Sequence, residues 1–320
     1  MKAIQIENTG DPDVMQYADV PTPEPGDGMA RVRVEAIGVN FIDIYKRKGQ
    51  YKMPLPFTPG EECAGVVDAI GPGVTEVRVG DRVGSAFAPG AYAEFAIVPA
   101  NKLVPLPPIV SAKDAAAILL QGMTAHYLTH DTYPINPGDT VLIHAAAGGT
   151  GALAVQMAKL RGARVFGTTS TPDKAAIAKQ AGADEVFLYD TFEAEVKQAT
   201  GGNGVHAVYD SVGKDTFDRS LNCLRPRGMM VLFGQASGPV PPFELQTLNA
   251  KGSLYVTRPS LGAYILTREA LLARAGAVLD MVAKHQINVR VDSEYALNDA
   301  PAAHVALASR GTTGKILLIP

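Results

Sequence analysis

A chain of 320 residues has room for two domains, and 47% hydrophobic against 19% charged residues describes a globular protein with an ample core. Lysine plus arginine number 29 and aspartate plus glutamate 32, a net charge of −3 with no long run of either sign, so no basic stripe invites nucleic acid. Only Cys63 and Cys223 are present, which excludes a disulfide framework and a cysteine-built zinc site; no stretch approaches a membrane-spanning apolar run, and the expected location is the cytoplasm.

From residue 1 to about 120 the pattern is strand-like: Arg31-Val32-Arg33-Val34-Glu35 alternates with period two, residues 64–70 form a mostly apolar run, and Gly71-Pro72-Gly73 and Gly80-Asp81 mark turns. Short strands punctuated in this way predict a compact β-barrel or sandwich, interrupted by one helix over residues 41–48 with Asn40 as its N-cap. Beyond residue 121 strands and helices alternate. Strands are predicted at 140–145, 164–169, 185–189, 206–210, 229–233 and 252–256, with helices at 152–160, 173–181, 191–200 and 216–224 between them. Six strands with crossover helices make a doubly wound parallel sheet. A helix over 263–284, a short strand near 289, a helix over 299–309 and an apolar strand at 315–319 follow, the last expected to rejoin the first sheet. The reading is therefore an α/β protein in which residues 1–120 and 260–320 form one domain around an inserted domain of 121–259.

The inserted part opens with Val141-Leu142-Ile143-His144-Ala145-Ala146-Ala147-Gly148-Gly149-Thr150-Gly151. A buried strand runs into a small-residue turn and a helix, with Ala146, Gly148 and Gly151 in the three slots of G-x-G-x-x-G; Ala146 departs from that pattern. Glycine-rich strand-to-helix turns also serve as plain connectors, but the strand before, the helix after and the next strand at 164–169 favour dinucleotide binding. Ala147, Gly148, Gly149 and Thr150 then offer backbone amides to a pyrophosphate at the helix start. NAD sites carry an acidic residue about 20 residues past the glycines for the ribose hydroxyls. Here stand Thr168, Thr169 and Ser170, then Lys174. Ser170 and Lys174 suit a 2′-phosphate, which points to NADPH, against the plainer reading of Lys174 as an ordinary solvated lysine. Ser211, Phe233 and Gly234 lie at further C-terminal strand ends, where such sheets bind ligands.

This layout resembles the medium-chain dehydrogenase/reductase superfamily, and within it the zinc-free, zeta-crystallin-like quinone oxidoreductases, in particular the bacterial NADPH-dependent ones. The resemblance is carried by Gly38-Val39-Asn40-Phe41-Ile42-Asp43, Pro59-Gly60-Glu61-Glu62, Gly80-Asp81-Arg82-Val83, Gln121-Gly122-Met123-Thr124-Ala125, the glycine turn, Tyr209-Asp210-Ser211-Val212-Gly213 and Gly252-Ser253-Leu254-Tyr255-Val256-Thr257-Arg258-Pro259. It implies a GroES-like β-barrel catalytic domain and a Rossmann cofactor domain. Zinc-dependent relatives carry cysteine, histidine and cysteine where this chain has Asn40, Glu61 and Gln121, a poor ligand set, so no metal is expected. Without a Lewis acid, an electron-poor acceptor such as a small quinone is the expected substrate for the nicotinamide hydride.

The resemblance further implies that Asn40 and Tyr45 act beside the nicotinamide and the substrate, that Met123 and Thr124 approach the nicotinamide, and that Tyr189 covers the adenine or touches the 2′-phosphate. Arg310 would join Lys174 on that phosphate. The competing readings are an N-cap asparagine with a half-buried tyrosine, and for Arg310 a cation at a helix C-terminus before Gly311. Alternative functions are reduction of activated alkenes such as enals and enones, and a crystallin or RNA-binding role like that of some relatives. A homodimer through the strand near 252–258 is expected from dimeric relatives.

Overall fold

The computed structural model describes residues 1–320 and divides into two units, Met1–Gln121 with Ile265–Pro320, and Gly122–Tyr264. In chain order the first contains β1 (Lys2–Ile6), β2 (Met15–Asp19), β3 (Met29–Val39), α1 (Phe41–Arg47), β4 (Glu62–Ile70), β5 (Arg82–Ser85), β6 (Phe95–Pro99), β7 (Val104–Pro105) and most of α2 (Ala112–Tyr127). The second continues with β8 (Thr140–Ile143), α3 (Gly149–Leu160), β9 (Arg164–Thr169), α4 (Pro172–Gln180), β10 (Glu185–Leu188), α5 (Phe192–Ala199) and β11 (Val205–Asp210). It ends with α6 (Phe217–Cys223), β12 (Leu224–Leu232), α7 (Gln246–Ala250) and β13 (Tyr255–Thr257). The chain then returns to the first unit as α8 (Arg268–Ala283), β14 (Val291–Ala296), α9 (Ala300–Ala308) and β15 (Lys315–Ile319).

The first unit is organised around β3, whose alternating Ala30, Val32 and Val34 face a core shared with Ile4, Val67, Val98 and Leu318. One edge of β3 pairs with β4 along its length. Its opposite edge is shared, β6 pairing with Met29 to Arg33 and β15 with Ile37 to Val39, all antiparallel. The C-terminal strand thus joins the sheet of β3, as the sequence reading expects, and β14 lies beyond it at the edge. In the second unit all six strands are parallel in the order β10-β9-β8-β11-β12-β13. Right-handed crossovers that place successive strands first to one side of β8 and then to the other produce this order, and the reversal lies between β8 and β11.

Four elements depart from the sequence reading. Helix α2 lies in a stretch read as strand-like. Its Ala- and Leu-rich interior favours helix, and Ser111 and Asp114 form a reciprocal cap: Ser111 Oγ accepts from Asp114 N at 3.0 Å while Asp114 Oδ2 accepts from Ser111 N at 3.3 Å. Helix α8 starts at Arg268 rather than near 263, because Thr267 caps it by accepting from Ala270 N at 3.2 Å. The strand expected near 289 is β14, at Val291–Ala296, and β12 begins at Leu224, five residues ahead of the predicted start.

Candidate active site

At the C-terminal end of β8 the chain turns sharply. Ala145 has φ of +50°, and Gly148 caps α3, whose first turn carries no acidic side chain. The leading N–H groups of a helix have no intrahelical partners, so this acid-free start is open to an anion. Space here is set by backbone. A Cβ on Gly151 would stand 2.1 Å from the Ala145 carbonyl oxygen, which only glycine avoids. The departure at Ala146 is compensated across the sheet: Gly167 on β9 leaves room for its methyl, which would lie 2.7 Å from a Cβ at that position.

Behind the turn lies a buried polar network. His144 Nδ1 pairs with Thr168 Oγ1 and its Nε2 with Ser220 Oγ, each at 2.7 Å, while Asp210 accepts from Thr216 Oγ1 at 2.7 Å and from the N–H groups of Val212 and Gly213 at 2.7 and 2.9 Å. Burial pushes the His144 pKa down, so the imidazole is a neutral strut joining β8, β9 and α6. This network escapes the sequence reading, which gives His144 no role beyond its place in the strand-to-helix run.

Of the residues anticipated for the cofactor, Tyr189 touches this turn directly, and the others of this unit lie on the elements named below. Tyr189, just past β10, accepts the Ala145 N–H at 2.9 Å through its hydroxyl, and its ring lies 6.0 Å from that of His144. Arg219 on α6 fastens the same loop by donating to the carbonyls of Tyr189 and Asp190 at 2.6 and 2.9 Å. Ser170 is exposed after β9, and Lys174 is half-buried in the first turn of α4. Ser211 and Gly234 pack closely, since a Cβ on Gly234 would meet the Ser211 carbonyl at 2.4 Å, and the Phe233 N–H is held by Asp210 O at 2.8 Å. Met123 is fully buried and Thr124 half-buried on α2.

The remaining residues belong to the first unit. Asn40 is the N-cap residue of α1, as the sequence predicts, and forms a capping box with Asp43, while its side-chain hydrogen bonds run to further partners. Its Nδ2 donates to Gly38 O at 3.0 Å and to Glu62 Oε2 at 2.9 Å, and its Oδ1 accepts from Lys315 Nζ at 2.8 Å. The other half of the capping box is Asp43, whose Oδ2 accepts the Asn40 N–H at 2.8 Å. Tyr45, one turn further, packs edge-on against Tyr51 at 5.8 Å and tilted on Phe41 at 6.2 Å. Arg310 follows α9 in a left-handed conformation, with φ of +58°, and is exposed.

Beneath α1 lies a second buried group that the sequence does not reveal. Tyr92 Oη stands 3.1 Å from Asp43 Oδ2, to which it donates, and 2.9 Å from His304 Nε2. Burial pushes Asp43 up to about 7 and His304 down to about 3, the latter helped by the nearby Arg47 charge.

The three positions that carry zinc ligands in related dehydrogenases hold no such set. Asn40 is engaged as described, Glu61 is paired with Lys46, Gln121 is an amide, and no three His, Cys, Asp or Glu side chains converge as a metal-binding group. Both cysteines are buried, and burial pushes each thiol up to about 12, so neither is a nucleophile.

A family profile described as alcohol dehydrogenase GroES-like domain matches residues 26–108, and one described as zinc-binding dehydrogenase matches residues 149–272. A quinone oxidoreductase of Pseudomonas aeruginosa is 46% identical over 100% of this chain and 99% of its own. A 2-haloacrylate reductase of a Burkholderia species is 42% identical over 99% of this chain and 98% of its own. The structure of Escherichia coli quinone oxidoreductase complexed with NADPH is 44% identical and matches with a TM-score of 0.98, covering 100% of both chains. With a GroES-like unit, a Rossmann unit in the strand order described above and full-length relatives at this identity, the chain belongs to the quinone oxidoreductase family of the medium-chain dehydrogenases/reductases.

Proposed function

We propose that the chain is an NADPH-dependent reductase of small quinones that works without a metal. The observation that carries this reading is the glycine turn with its acid-free helix start, followed after β9 by Ser170 and Lys174 where an NAD site would place a carboxylate. The cofactor found with the Escherichia coli relative and the names of the full-length relatives support it.

The backbone amides of Ala147, Gly148, Gly149, Thr150 and Gly151 hold the pyrophosphate at the positive end of α3. Ser170, Lys174 and Arg310 take the 2′-phosphate, Tyr189 lies against the adenosine, and Met123, Thr124, Ser211, Phe233 and Gly234 line the cofactor's path. When bound, the dihydronicotinamide supplies a hydride. Asn40 and Tyr45 belong to the nicotinamide end, Tyr45 donating a hydrogen bond to a quinone oxygen. A phenol with pKa near 10 is a reluctant acid, so water completes the protonation. An electron-poor acceptor needs orientation more than activation, which fits a donor set unable to hold zinc.

The Burkholderia relative favours a second acceptor class, alkenes polarised by a carbonyl or carboxyl group. Steady-state rates with 1,4-benzoquinone, an enone and 2-chloroacrylate separate the two. The cofactor assignment is tested by comparing NADPH with NADH in Lys174→Ala and Arg310→Ala. Each should lose about tenfold or more in kcat/KM for NADPH and little for NADH, whereas an undiminished NADPH preference in both overturns it.

No helix is long and apolar enough to cross a membrane. We infer a cytoplasmic homodimer with no nucleic-acid partner, on the net charge of −3 and on the free edge of β13.

A further inference from the structure

We infer that Glu62 and Lys315 are positioning residues of the reductase, a buried ion pair that holds the Asn40 amide in one orientation; this rests on the reading of Asn40 as part of the site. The pair is closed to solvent, with side-chain exposures of 0% for Glu62 and 1% for Lys315, and spans 2.6 Å. Removing two charges from water costs as much as their attraction returns, so a pair this deep is poor evidence of added stability. What it supplies is direction.

The amide of Asn40 can lie either way round. Here the ammonium faces Oδ1 at 2.8 Å, while the carboxylate and the Gly38 carbonyl face Nδ2 at 2.9 and 3.0 Å. Reversal would set donor against donor and acceptor against two acceptors, so all three neighbours select the same orientation. Both N–H groups are thereby consumed, and the spare capacity of Asn40 is a lone pair on Oδ1. It therefore engages an N–H or O–H donor and cannot donate to a quinone oxygen. Close approach is built in: a Cβ on Gly38 would lie 2.4 Å from Glu62 Oε2. The other oxygen of Glu62 accepts the Leu120 N–H at 2.6 Å, a structural tether that the test must leave intact.

The double variant Glu62→Gln/Lys315→Met does so. It leaves no lone buried charge, keeps an amide oxygen for Leu120, and frees the Asn40 amide to turn. On the purified full-length chain we would measure melting temperature, NADPH affinity by fluorescence titration, and the single-turnover rate of NADPH oxidation by saturating 1,4-benzoquinone. The expected result is a melting temperature within a few degrees of wild type and a single-turnover rate lowered about tenfold, the worth of one charge-assisted hydrogen bond. A purely structural pair would leave the rate per bound NADPH unchanged, and that result overturns the inference. If the double variant does not fold, Lys315→Arg and Glu62→Asp replace it, since each keeps its charge but moves where that charge stands. Lowered rates at near-native melting temperature support the role, and wild-type rates overturn it. A wild-type chain that binds NADPH but reduces neither benzoquinone nor an enone overturns the functional reading and this role together, whereas turnover equal in wild type and variant overturns this role alone.

Discussion

Asp43 and His304 sit on either side of the Tyr92 hydroxyl and carry opposite perturbations of the same origin, the cost of placing charge where water is absent. The carboxyl, raised to about 7, keeps a proton in the folded chain that the unfolded chain has lost above its ordinary value of 3.8, so its contribution to stability declines as pH rises through that interval. The imidazole, lowered to about 3, refuses a proton that the unfolded chain accepts below 6.5, so its contribution declines as pH falls through that interval. In the overlap the two slopes oppose each other, and each hides the other in the wild-type chain. Removing one should expose its partner. Relative to wild type, Asp43→Asn should gain stability with rising pH across roughly pH 4 to 7, and His304→Gln should lose it, each by about 2–4 kcal/mol over the window. Denaturant unfolding at a series of pH values measures both, and slopes of the same sign would show that the two groups do not titrate as their surroundings imply. None of this is legible in the sequence, because the three residues meet from α1, the segment after Gly90 and α9, with Tyr92 and His304 standing 212 positions apart.

At the scale of elements, the strand-to-helix turn after β8 was legible because its chemistry is local: small residues, a helix directly behind and a strand on cue. Its one irregularity, Ala146, is explained by a partner that sequence alone does not nominate. Gly167 stands opposite on β9, and a side chain there would come 2.7 Å from the Ala146 methyl. Gly167→Ala should therefore destabilise the chain by about 1–3 kcal/mol, the usual range for overpacking a tight core. Combined with Ala146→Gly, the same change should recover most of that loss, since one methyl is moved across the gap and none is added. Thermal melts of the two single variants and the double close the cycle, and additive effects would disprove the compensation. Helix α2 failed for the opposite reason. Its Ser111 and Asp114 cap and alanine-rich body were plain signals, but they follow a run of short strands whose rhythm suggested that the barrel continued. Asn40 is legible as the start of α1, but its further partners Glu62 and Lys315 are not, because they lie 22 and 275 residues away.

For the whole molecule, the parallel sheet was readable because alternating strands and helices admit few topologies once crossovers are right-handed. The first unit's sheet was not. Which strands border β3 depends on antiparallel pairings such as β3 with β4 and β3 with β6, set by long-range packing and not by local pattern. The same topology leaves β13 as the edge of the parallel sheet, where Tyr255 is 57% exposed and Val256 37% exposed. An edge strand presents unpaired backbone groups, and soluble proteins usually blunt such an edge with charge, proline or a covering segment. Here none of Tyr255, Val256 and Thr257 is charged, while Arg258 and Pro259 come only after the strand ends. An apolar, uncharged edge suits a second copy of itself, because a twofold axis lets one such strand pair with its own image. The expectation is sedimentation at twice the chain mass at micromolar concentration. Val256→Lys, which places like charges opposite each other across that axis, should shift the species towards the monomer by at least tenfold in dissociation constant. NADPH affinity should stay within about twofold, since no proposed cofactor contact lies on β13. A dimer that sediments unchanged after this substitution would place the contact on another face of the molecule.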